Sequence, residues 1–537
     1  MKLSQEKAPM SDKVIVIGAG LAGMIAAYTA QAEGAKVLLI DRSGIGVGTN
    51  SAMSNGRFSG PTTSYSADQY IRDTLHTGKM INHGPLVKRF AHEALDALAF
   101  FCSTGFEFEE FYDHYFLKSS SPDVIRGVTM VKRLADNLRS LKRISVLSGF
   151  YVTDILKQGA QVLGVKGIDK SGKEVSIASS SVILATGGGG AIYLRNDNQK
   201  SMMGHGYYLA AKAGLSLWDM EFIQFYPIVI AQPRLPSIML YPPYPGETRL
   251  INTSGEDILR KYGIDDVNEA MRKKRDSLSA MLFEEGHAGP VYMDFRKVPS
   301  SSWETFPLSL LRKIKFDFEN KPVEISPGAH FFMGGIRTDE SGQTDLSGLY
   351  VCGEVAWGFH GANRLSGNAL TECLVSGRIA GRSAARNIHS RRLSDADIQD
   401  LPENRGSTSG AQLLFKSTRL IIREIAWEHA GIVRTDSGLN EGLTKLKVLE
   451  KELKAGAPKN VTEMKKKEDM LSAVFVVKAI LTASLARKES RGAFIRKEFP
   501  IKENDENIKW RKNSCLTFDP EKDEFSISHH PVIGLAP

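Results

Sequence analysis

The sequence predicts an α/β fold with a Rossmann-like nucleotide-binding domain at its N-terminal end. Residues 14–17 are a run of β-branched residues that predicts a buried strand. A turn with the spacing G-x-G-x-x-G follows, and then an alanine-rich segment, residues 24–33, that predicts a helix. Two later segments, residues 182–190 and 348–355, repeat the order of a strand followed by glycines. Together they predict strand ends that bring the backbone close to one long ligand.

The glycine-rich turn has the residues that a dinucleotide requires. Gly18 permits the tight turn, and Gly20 lets a pyrophosphate approach the backbone. Gly23 allows the helix to pack closely on the strand, and the N-terminus of that helix favours an anion. A second strand, residues 37–40, ends in Asp41, whose carboxylate can accept hydrogen bonds from ribose hydroxyls. This segment predicts a dinucleotide and leaves open whether it is NAD or FAD.

Length, composition and charge indicate a soluble multi-domain protein. A chain of 537 residues fits two to four domains, and 42% apolar with 24% charged residues is ordinary for a globular protein. Lys and Arg exceed Asp and Glu by 69 − 61 = 8. This surplus is compatible with an acidic partner or an anionic membrane surface. The basic residues are widely spread, which favours a solvated surface instead, and no nucleic-acid-binding module is present.

Cysteine spacing and apolar segments exclude several classes of protein. The four cysteines are far apart and form no CxxC pair, which argues against an iron–sulfur cluster, a structural zinc site or a disulfide framework in this chain. The N-terminus has no apolar segment typical of a secretory signal. The apolar run 474–477 is cut short by Lys478, so no membrane span is expected. We therefore expect a cytoplasmic protein without a metal site, associated with a membrane at most through a partner protein.

Later motifs resemble the flavoprotein family of fumarate reductase, succinate dehydrogenase and L-aspartate oxidase. The matching segments keep the family's order: ATGGGG at 185–190, HFFMGGI at 330–336, GLYVCGEVA at 348–356, HGANRLSGNAL at 360–370 and RKESRGA at 487–493. The resemblance extends from about residue 13 to residue 500 and implies FAD as the cofactor. The residues that it implies hold FAD are Gly18, Gly20, Gly23, Asp41, Asn50, Ser51, Ala52, Gly187, Glu354, Asn368, Ala369 and Leu370.

The resemblance also implies the organisation of the chain and the attachment of the flavin. In relatives with covalent flavin, a histidine lies in the segment that corresponds to residues 48–56, which contain none here, so non-covalent FAD is implied. The implied domains are a discontinuous FAD-binding domain at 13–237 and 322–387, an inserted α+β capping domain at 238–321, and a C-terminal helical domain at 411–500. The remaining segments are expected to be a flexible N-terminus at 1–12, a polar linker at 388–410, and a charged surface tail at 501–537.

Two candidate substrate-binding residues match the family. In fumarate reductases, His and Arg side chains clamp the carboxylates, hydride comes from flavin N5, and an arginine of the capping domain delivers the proton. Arg364 in the HGANR segment and His330 at the start of HFFMGGI correspond to carboxylate-binding positions. His360 is expected to orient the loop that carries Arg364.

Other family positions are replaced. The family's QFHP segment has Tyr226 in place of its histidine, and two proton-transfer positions fall on Tyr241 and Tyr244. The family's RDxxSRA segment is RDSLSAM here, which puts Ala280 at the position assigned to the proton-donating arginine. We therefore expect too few cations for fumarate, and a larger or flatter substrate. With a lowered pKa, Tyr226 or Tyr244 would then act as a general acid or base.

These residues leave three functional hypotheses. The first is an FAD oxidoreductase that transfers hydride at flavin N5 to or from a C–C or C–N bond next to an electron-withdrawing group, alone or with an iron–sulfur partner protein. The second is an electron-transfer subunit of a complex with an iron–sulfur protein and no organic substrate of its own. The third is an oxidase similar to L-aspartate oxidase. Retention of His330 and Arg364 favours the first.

Overall fold

The computed structural model of the chain describes residues 12–118, 125–390, 415–500 and 507–534. The first eleven residues of the predicted flexible N-terminus, most of the predicted linker, and residues 501–506 and 535–537 of the predicted tail lie outside these ranges. The strands are β1 (Lys13–Ile17), β2 (Lys36–Asp41), β3 (Arg57–Ser59), β4 (Phe108–Glu110), β5 (His114–Leu117), β6 (Ile144–Ser148), β7 (Tyr151–Gln158), β8 (Gln161–Ile168), β9 (Glu174–Ala178), β10 (Val182–Leu184), β11 (Leu217–Trp218), β12 (Ile223–Ile230), β13 (Arg249–Ile251), β14 (Val291–Asp294), β15 (Val323–Phe332), β16 (Gly335–Ile336), β17 (Leu349–Val351), β18 (Val433–Arg434), β19 (Ile495–Arg496), β20 (Lys512–Asp519) and β21 (Glu524–Pro531). The helices are α1 (Leu21–Ala32), α2 (Asn50–Met53), α3 (Ala67–Thr77), α4 (Gly84–Ser103), α5 (Arg126–Ser140), α6 (His205–Lys212), α7 (Ile258–Lys261), α8 (Val267–Lys273), α9 (Arg275–Ala288), α10 (Leu308–Lys313), α11 (Asn368–Ser390), α12 (Phe415–Ala430), α13 (Asp436–Ala455) and α14 (Val461–Ala486).

The nucleotide-binding domain is built on a parallel five-stranded sheet in the order β17-β10-β1-β2-β6. Its central strand β1 is apolar on both faces, as a sheet covered on both sides requires. Val14 and Val16 pack in the cluster that contains helices α1, α4 and α5, whereas Ile15 and Ile17 pack in the cluster on the opposite face. This arrangement confirms the predicted Rossmann-like core and its first strand.

Helices α1 and α11 lie against each other on one face of the sheet. Their close approach depends on small residues, because a Cβ at Gly377 would lie 2.7 Å from the Ala22 carbonyl oxygen and a Cβ at Gly381 2.4 Å from that of Ala26. The other face of the sheet is covered by the antiparallel sheet β7-β8-β9 and by the C-terminal helices. The layers hold the ends of β1, β10 and β17 in fixed positions.

A second packing unit lies between the two parts of the nucleotide-binding domain. It contains the antiparallel sheet β12-β15-β14-β13 and helices α7 to α10. Its apolar core includes Ile228 on β12 and Ile325 on β15 together with Leu278 and Leu282 on α9. This unit is called the cap below. Its core includes residues on both sides of the boundaries predicted for the capping domain at 238 and 321.

Helices α12, α13 and α14 form the helical part of the C-terminal region. Among the described residues, α14 is the one helix that has the length and composition to cross a membrane, with a mean hydropathy of 1.7 over its most apolar window. Two thirds of that window (67%) is buried, and α14 packs against α6, α12 and α13, as a core helix does. Lys478, which cuts the apolar run 474–477 short, is accommodated inside the helix because its ammonium group pairs with the Glu450 carboxylate at 2.6 Å.

The segment predicted to be a charged surface tail contains a β-hairpin. Strands β20 and β21 pair with each other, and β20 also pairs with β11, which joins the hairpin to the rest of the chain. A buried ionic cluster holds this region: the Arg487 guanidinium lies 2.5 Å from Glu221 and 3.6 Å from Asp219. Ser514 on β20 donates to the Glu221 carboxylate at 2.7 Å. The family-like RKESRGA segment, in which Arg487 is the first residue, thus ties the C-terminal region to the nucleotide-binding domain.

Candidate active site

The predicted cofactor residues lie at one edge of the parallel sheet. Gly18, Gly187 and Glu354 follow the carboxyl ends of β1, β10 and β17, and Asp41 is the last residue of β2. Ligands of open parallel sheets bind beyond this edge. The fold therefore brings together residues that are separated by more than 300 positions in the sequence.

The three glycines of the first turn have different physical roles. Gly18 has a φ of +105°, and a Cβ there would lie 2.3 Å from the Ala185 carbonyl oxygen. A Cβ at Gly23 would lie 2.0 Å from the Gly18 oxygen, so this glycine is needed for the packing of α1 on β1. A Cβ at Gly20 would have the Ser51 Oγ as its nearest neighbour, at 3.7 Å, so there is space in front of the N-terminus of α1. Such a space beside a helix N-terminus fits a pyrophosphate.

Asp41 and Ser51 fix the loop around this space. The Asp41 carboxylate accepts hydrogen bonds from the backbone N–H groups of Ala19 at 3.1 Å and Ser43 at 2.8 Å. Burial raises the pKa of Asp41 above its ordinary value, and these hydrogen bonds oppose that rise. The Ser51 hydroxyl accepts from the Leu21 N–H at 3.1 Å, at the first turn of α1. Ala52 is buried beside Ser51 in α2.

Glu354 is buried against the glycine-rich turn that follows β10. Its carboxylate accepts from the Phe332 N–H at 3.1 Å, and a Cβ at Gly188 would lie 2.1 Å from one of its oxygens. Burial raises the pKa of Glu354 to about 7, and hydrogen bonds from the Phe332 and Gly188 N–H groups act in the opposite direction. Gly187 has a φ of +71°, which favours glycine at this turn.

The remaining predicted cofactor residues are at two further helix ends. Asn368, Ala369 and Leu370 form the first turn of the 23-residue helix α11. The Asn368 side chain is fully buried and accepts from the Tyr70 hydroxyl at 2.8 Å, so its side chain positions the helix while the backbone N–H groups are available to a ligand. Asn50 donates to the Asn198 side chain at 2.6 Å.

Two threonines beside predicted cofactor residues have buried hydroxyl oxygens. The Oγ1 atoms of Thr49 and Thr186 have no hydrogen-bond partner among the described residues. Each residue is next to a predicted cofactor residue in the sequence, Asn50 and Gly187 respectively. Buried hydroxyls normally have a partner, so the residues present fit a long polar ligand such as FAD.

The candidate substrate site centres on Arg364. Its side chain is 5% exposed, and its guanidinium carbon lies 4.6 Å from the centre of the Phe331 ring. No ion pair to Arg364 occurs among the described residues, and its buried Nε has no hydrogen-bond partner there. Burial and the nearby positive charge of Arg275 lower the pKa of Arg364 to about 10. A buried cation without a carboxylate partner is a strong site for an anionic ligand.

Arg275 supplies a second cation that the sequence analysis did not recognise. It is the first residue of α9 in the cap, and its Nη2 donates to the Arg364 carbonyl oxygen at 3.1 Å. Its buried Nε has no partner among the described residues, and its charge also acts on Tyr226. The expectation of too few cations, based on Ala280, did not count Arg275, which lies at the start of the same RDSLSAM segment and next to Arg364. The fold of the cap decides which of its residues reaches the site.

His330 lies at the side of this cluster. Its Nδ1 lies 2.7 Å from the Asp197 carboxylate, and its ring centre lies 5.7 Å from that of Tyr226. The Asp197 contact fixes the orientation of the imidazole and leaves Nε2 for another partner. The structure thus brings His330, Tyr226, Arg275 and Arg364 into one site.

The tyrosines lack the lowered pKa that acid or base catalysis at neutral pH requires. Burial raises the pKa of Tyr226 and of Tyr244 well above the ordinary value, so both hydroxyls stay protonated. The Tyr244 hydroxyl donates to the Leu240 carbonyl oxygen at 2.7 Å and interacts with the Tyr226 hydroxyl. The sequence hypothesis of a tyrosine with a lowered pKa is wrong for this structure. Tyr226 and Tyr244 form a neutral, aromatic side of the site.

The loop that carries Arg364 is held from three sides. The His360 Nε2 lies 3.0 Å from the Glu372 carboxylate, which agrees with its expected role in orienting the loop. Asn363 accepts from the Gln224 amide at 2.8 Å and donates to Asp276 of the cap at 2.6 Å. Because Asp276 follows Arg275, the cap docks on this loop through both residues.

Two sets of residues that position the site were absent from the sequence prediction. The Asp197 and Asn198 segment holds both His330 and Asn50, and Asn363 joins the loop to the cap. The NDN run at residues 196–198 and the Asn inside HGANR were available signals, because short polar side chains in loops often fix backbone geometry.

A Rossmann-type sheet edge carries three glycine-rich turns and lies next to two arginines, buried Arg364 and half-buried Arg275. This combination is typical of a nucleotide-dependent enzyme of the flavoprotein type. Residues 13–370 match the family described as FAD binding domain, and residues 419–534 match the family described as Fumarate reductase flavoprotein C-term. The chain belongs to the fumarate reductase/succinate dehydrogenase flavoprotein family and is an FAD-dependent oxidoreductase. The predicted fold class, cofactor and enzyme class are thereby confirmed.

Individual relatives and solved structures agree with this assignment. L-aspartate oxidase from Agrobacterium fabrum is 31% identical, with 98% of each chain covered. A fumarate reductase (CoM/CoB) subunit from Methanothermobacter marburgensis is 29% identical, over 94% of this chain and 96% of that relative. A variant of E. coli quinol fumarate reductase superposes with a TM-score of 0.84 at 23% identity, over 98% of this chain and 97% of that one, and shows the shared fold.

Proposed function

We propose that this FAD-dependent oxidoreductase acts on a C–C or C–N bond next to a carboxylate or similar electron-withdrawing group, in a substrate less symmetric than fumarate. Bound FAD supplies hydride transfer at N5. The observation that carries the proposal is a pair of guanidinium groups, on buried Arg364 and half-buried Arg275, which have no carboxylate partner among the described residues. Two neighbouring cations that repel each other are stabilised by an anionic ligand between them.

The two sides of the site support a substrate with one charged end. Arg364 and Arg275 can together hold one carboxylate and draw electron density from the adjacent bond. On the other side, Tyr226 and Tyr244 present neutral rings and hydroxyls where a second carboxylate of fumarate would need a cation. We therefore favour a substrate with one carboxylate or similar group at the reacting bond, such as a 2-enoate, and an apolar or flat part next to it.

Proton transfer in this proposal belongs to the chain's own residues. Arg275 lies on the cap beside Arg364, and the oriented His330 is the alternative donor through its Nε2. Hydrogen bonds from Arg275 to the Arg364 carbonyl oxygen and from Asn363 to Asp276 hold the cap against the loop that carries Arg364. The cofactor residues predicted from the sequence hold FAD non-covalently in this proposal, because residues 48–56 contain no histidine.

The test is anaerobic photoreduction of the purified protein, followed by mixing with fumarate, 2-enoates, enones and enoyl thioesters while flavin absorbance is followed. Rapid reoxidation by 2-enoates, at least tenfold faster than by fumarate at equal concentration, supports the proposal. Faster reoxidation by fumarate contradicts the part of the proposal that places a single carboxylate at the reacting bond. Precipitation with acid separates non-covalent from covalent flavin, because only non-covalent FAD stays in the supernatant.

A second candidate is an electron-transfer subunit that works with an iron–sulfur protein. It is favoured by the likeness to a relative that is named as one subunit of a fumarate reductase, and by the absence of a CxxC pair in this chain. In that case reduced flavin is reoxidised by a cluster-bearing protein and by none of the organic acceptors. Co-purification with a protein that shows cluster absorbance distinguishes this candidate.

A further inference from the structure

Arg126 is a cation at the boundary between the nucleotide-binding domain and the cap. It is the first residue of α5, and its guanidinium carbon lies 5.0 Å from the centre of the Phe116 ring on β5. No carboxylate forms an ion pair with Arg126 among the described residues, and the side chain is partly exposed. Stacking on Phe116 fixes the plane of the guanidinium and leaves its N–H groups for a ligand.

The position of Arg126 is fixed relative to the predicted cofactor segment. A Cβ at Gly56 would lie 3.0 Å from the Arg126 Cβ, so the arginine backbone packs on the chain that follows α2. At the next residue, a Cβ at Gly127 would lie 2.3 Å from the Ser51 carbonyl oxygen. Arg126 therefore lies directly beside the segment that contains Asn50, Ser51 and Ala52.

Arg126 also lies within electrostatic reach of the cap. Its positive charge acts on Tyr241 and opposes the rise in the pKa of that tyrosine caused by burial. The Tyr241 ring stacks on Phe306 with a centre distance of 3.9 Å, and Tyr241 in turn acts on Tyr226 of the substrate site. Tyr241 is therefore within electrostatic reach of both Arg126 and Tyr226.

We propose that Arg126, with Phe116 and Tyr241, forms an outer anion subsite that binds a carboxylate or phosphate at the far end of the substrate. This inference rests on the proposed function, in which Arg364 and Arg275 hold the reacting end. The substrate class is then an enoate or enoyl thioester with an apolar middle and a distal anion. A rigid guanidinium binds carboxylate and phosphate groups through paired N–H donors, so both chemistries are compatible with the subsite.

The test compares pairs of acceptors in wild type and in Arg126→Gln, where one member of each pair carries a distal anion and the other does not. trans-2-Decenoate is paired with trans-2-decenedioate, and the N-acetylcysteamine thioester of crotonate is paired with crotonyl-CoA. Arg133→Gln is the matched control, because Arg133 lies on the same helix and stacks in the same way on Phe106 at 5.2 Å. The readout is the concentration dependence of reoxidation of the photoreduced flavin.

For the distal-anion member of at least one pair, Arg126→Gln is expected to raise the half-saturating concentration by about tenfold or more. The other member of that pair is expected to change less than twofold, and Arg133→Gln is expected to behave as wild type. Loss with the dicarboxylate identifies a carboxylate ligand, and loss with the CoA thioester identifies a phosphate ligand. Equal effects on both members of each pair, or none, overturn the proposal. FAD content and thermal midpoint show that the variants are folded.

Failure of the proposed reaction is distinguishable from failure of the subsite. If no acceptor reoxidises the flavin, the same pairs are titrated against the oxidised holoprotein by calorimetry. Tighter binding of a distal-anion member that disappears in Arg126→Gln and persists in Arg133→Gln supports the subsite while the proposed reaction fails. No difference within either pair overturns the subsite as well.

Discussion

Replacement of Arg275 by glutamine tests the assignment of the second cation to the cap. Glutamine keeps most of the side-chain length and removes the charge, while Arg272→Gln removes an exposed arginine three residues earlier, on α8. Arg275 contacts the Arg364 carbonyl oxygen through a single hydrogen bond, so the substitution changes the site more than the fold. We expect FAD content and thermal midpoint to stay close to wild type in both variants.

The expected loss follows from the interaction that is removed. A hydrogen bond to a charged group contributes about 1.5–3 kcal/mol, and about 1.4 kcal/mol corresponds to a factor of ten. The quantity to compare is the rate constant for reoxidation by a 2-enoate divided by the half-saturating concentration of that 2-enoate. Removal of Arg275 should lower this ratio by roughly 10- to 150-fold. Removal of its charge also relieves the repulsion that lowers the pKa of Arg364. Arg364 then stays fully charged, so the loss should not depend on pH below about 9.

Stopped-flow reoxidation of photoreduced protein measures this effect directly. A neutral enone of the same size serves as a second control, because it has no carboxylate for Arg275 to bind. The reasoning is refuted if Arg275→Gln loses less than threefold with the 2-enoate, or if the enone loses as much. It is also refuted if Arg272→Gln has the same effect as Arg275→Gln.

Three further predictions follow from buried groups of the fold. Gly20→Ala should leave the apoprotein folded but weaken FAD binding at least tenfold. Gly23→Ala should destabilise the apoprotein itself, because its Cβ would lie 2.0 Å from the Gly18 carbonyl oxygen. Urea unfolding and FAD titration distinguish the two effects, and equal behaviour of the variants would contradict the roles given to these glycines. Arg487→Met should cost about 3–5 kcal/mol of unfolding free energy at pH 7.5, since it leaves Asp219 and Glu221 buried without their partner. The cost should be smaller at pH 5.5, because burial raises the pKa of Asp219 to about 7 and the carboxyl group is then protonated. A loss below about 1 kcal/mol by urea unfolding at pH 7.5 would count against this prediction. In the apoprotein, Glu354 binds its proton more tightly in the folded than in the unfolded state, so the free energy of unfolding should fall as pH rises from 4.5 to about 7, by up to ~3 kcal/mol from this group. Glu354→Gln should flatten that slope in urea unfolding measured across pH. An unchanged slope would show that Glu354 is not its source.

The cofactor edge was predictable from the sequence because its requirements are local. Gly18, Gly23 and Gly187 are fixed by φ values or by backbone atoms within one turn, and such constraints leave a spacing that can be recognised. The strands that precede these turns are buried on both faces, so they are continuous apolar runs.

The substrate site was less predictable because it depends on contacts across the chain. Arg275 reaches Arg364 only because the cap folds back over 89 positions. Lys478 is tolerated inside α14 because of Glu450 on a neighbouring helix, which a run of residues does not show. The raised pKa of Tyr226 depends on burial beneath the cap, which also reversed the sequence hypothesis about its role.

The measurement that tests the central claim most directly is a single turnover of the isolated chain. Anaerobic, photoreduced protein is mixed with an excess of a 2-enoate, and flavin absorbance and the saturated acid are quantified in the same sample. The account predicts one mole of saturated acid for each mole of FAD reoxidised, and a large loss of that turnover in Arg275→Gln. Flavin that stays reduced with every carboxylate acceptor, but is reoxidised by an iron–sulfur protein, would contradict the account and identify an electron carrier.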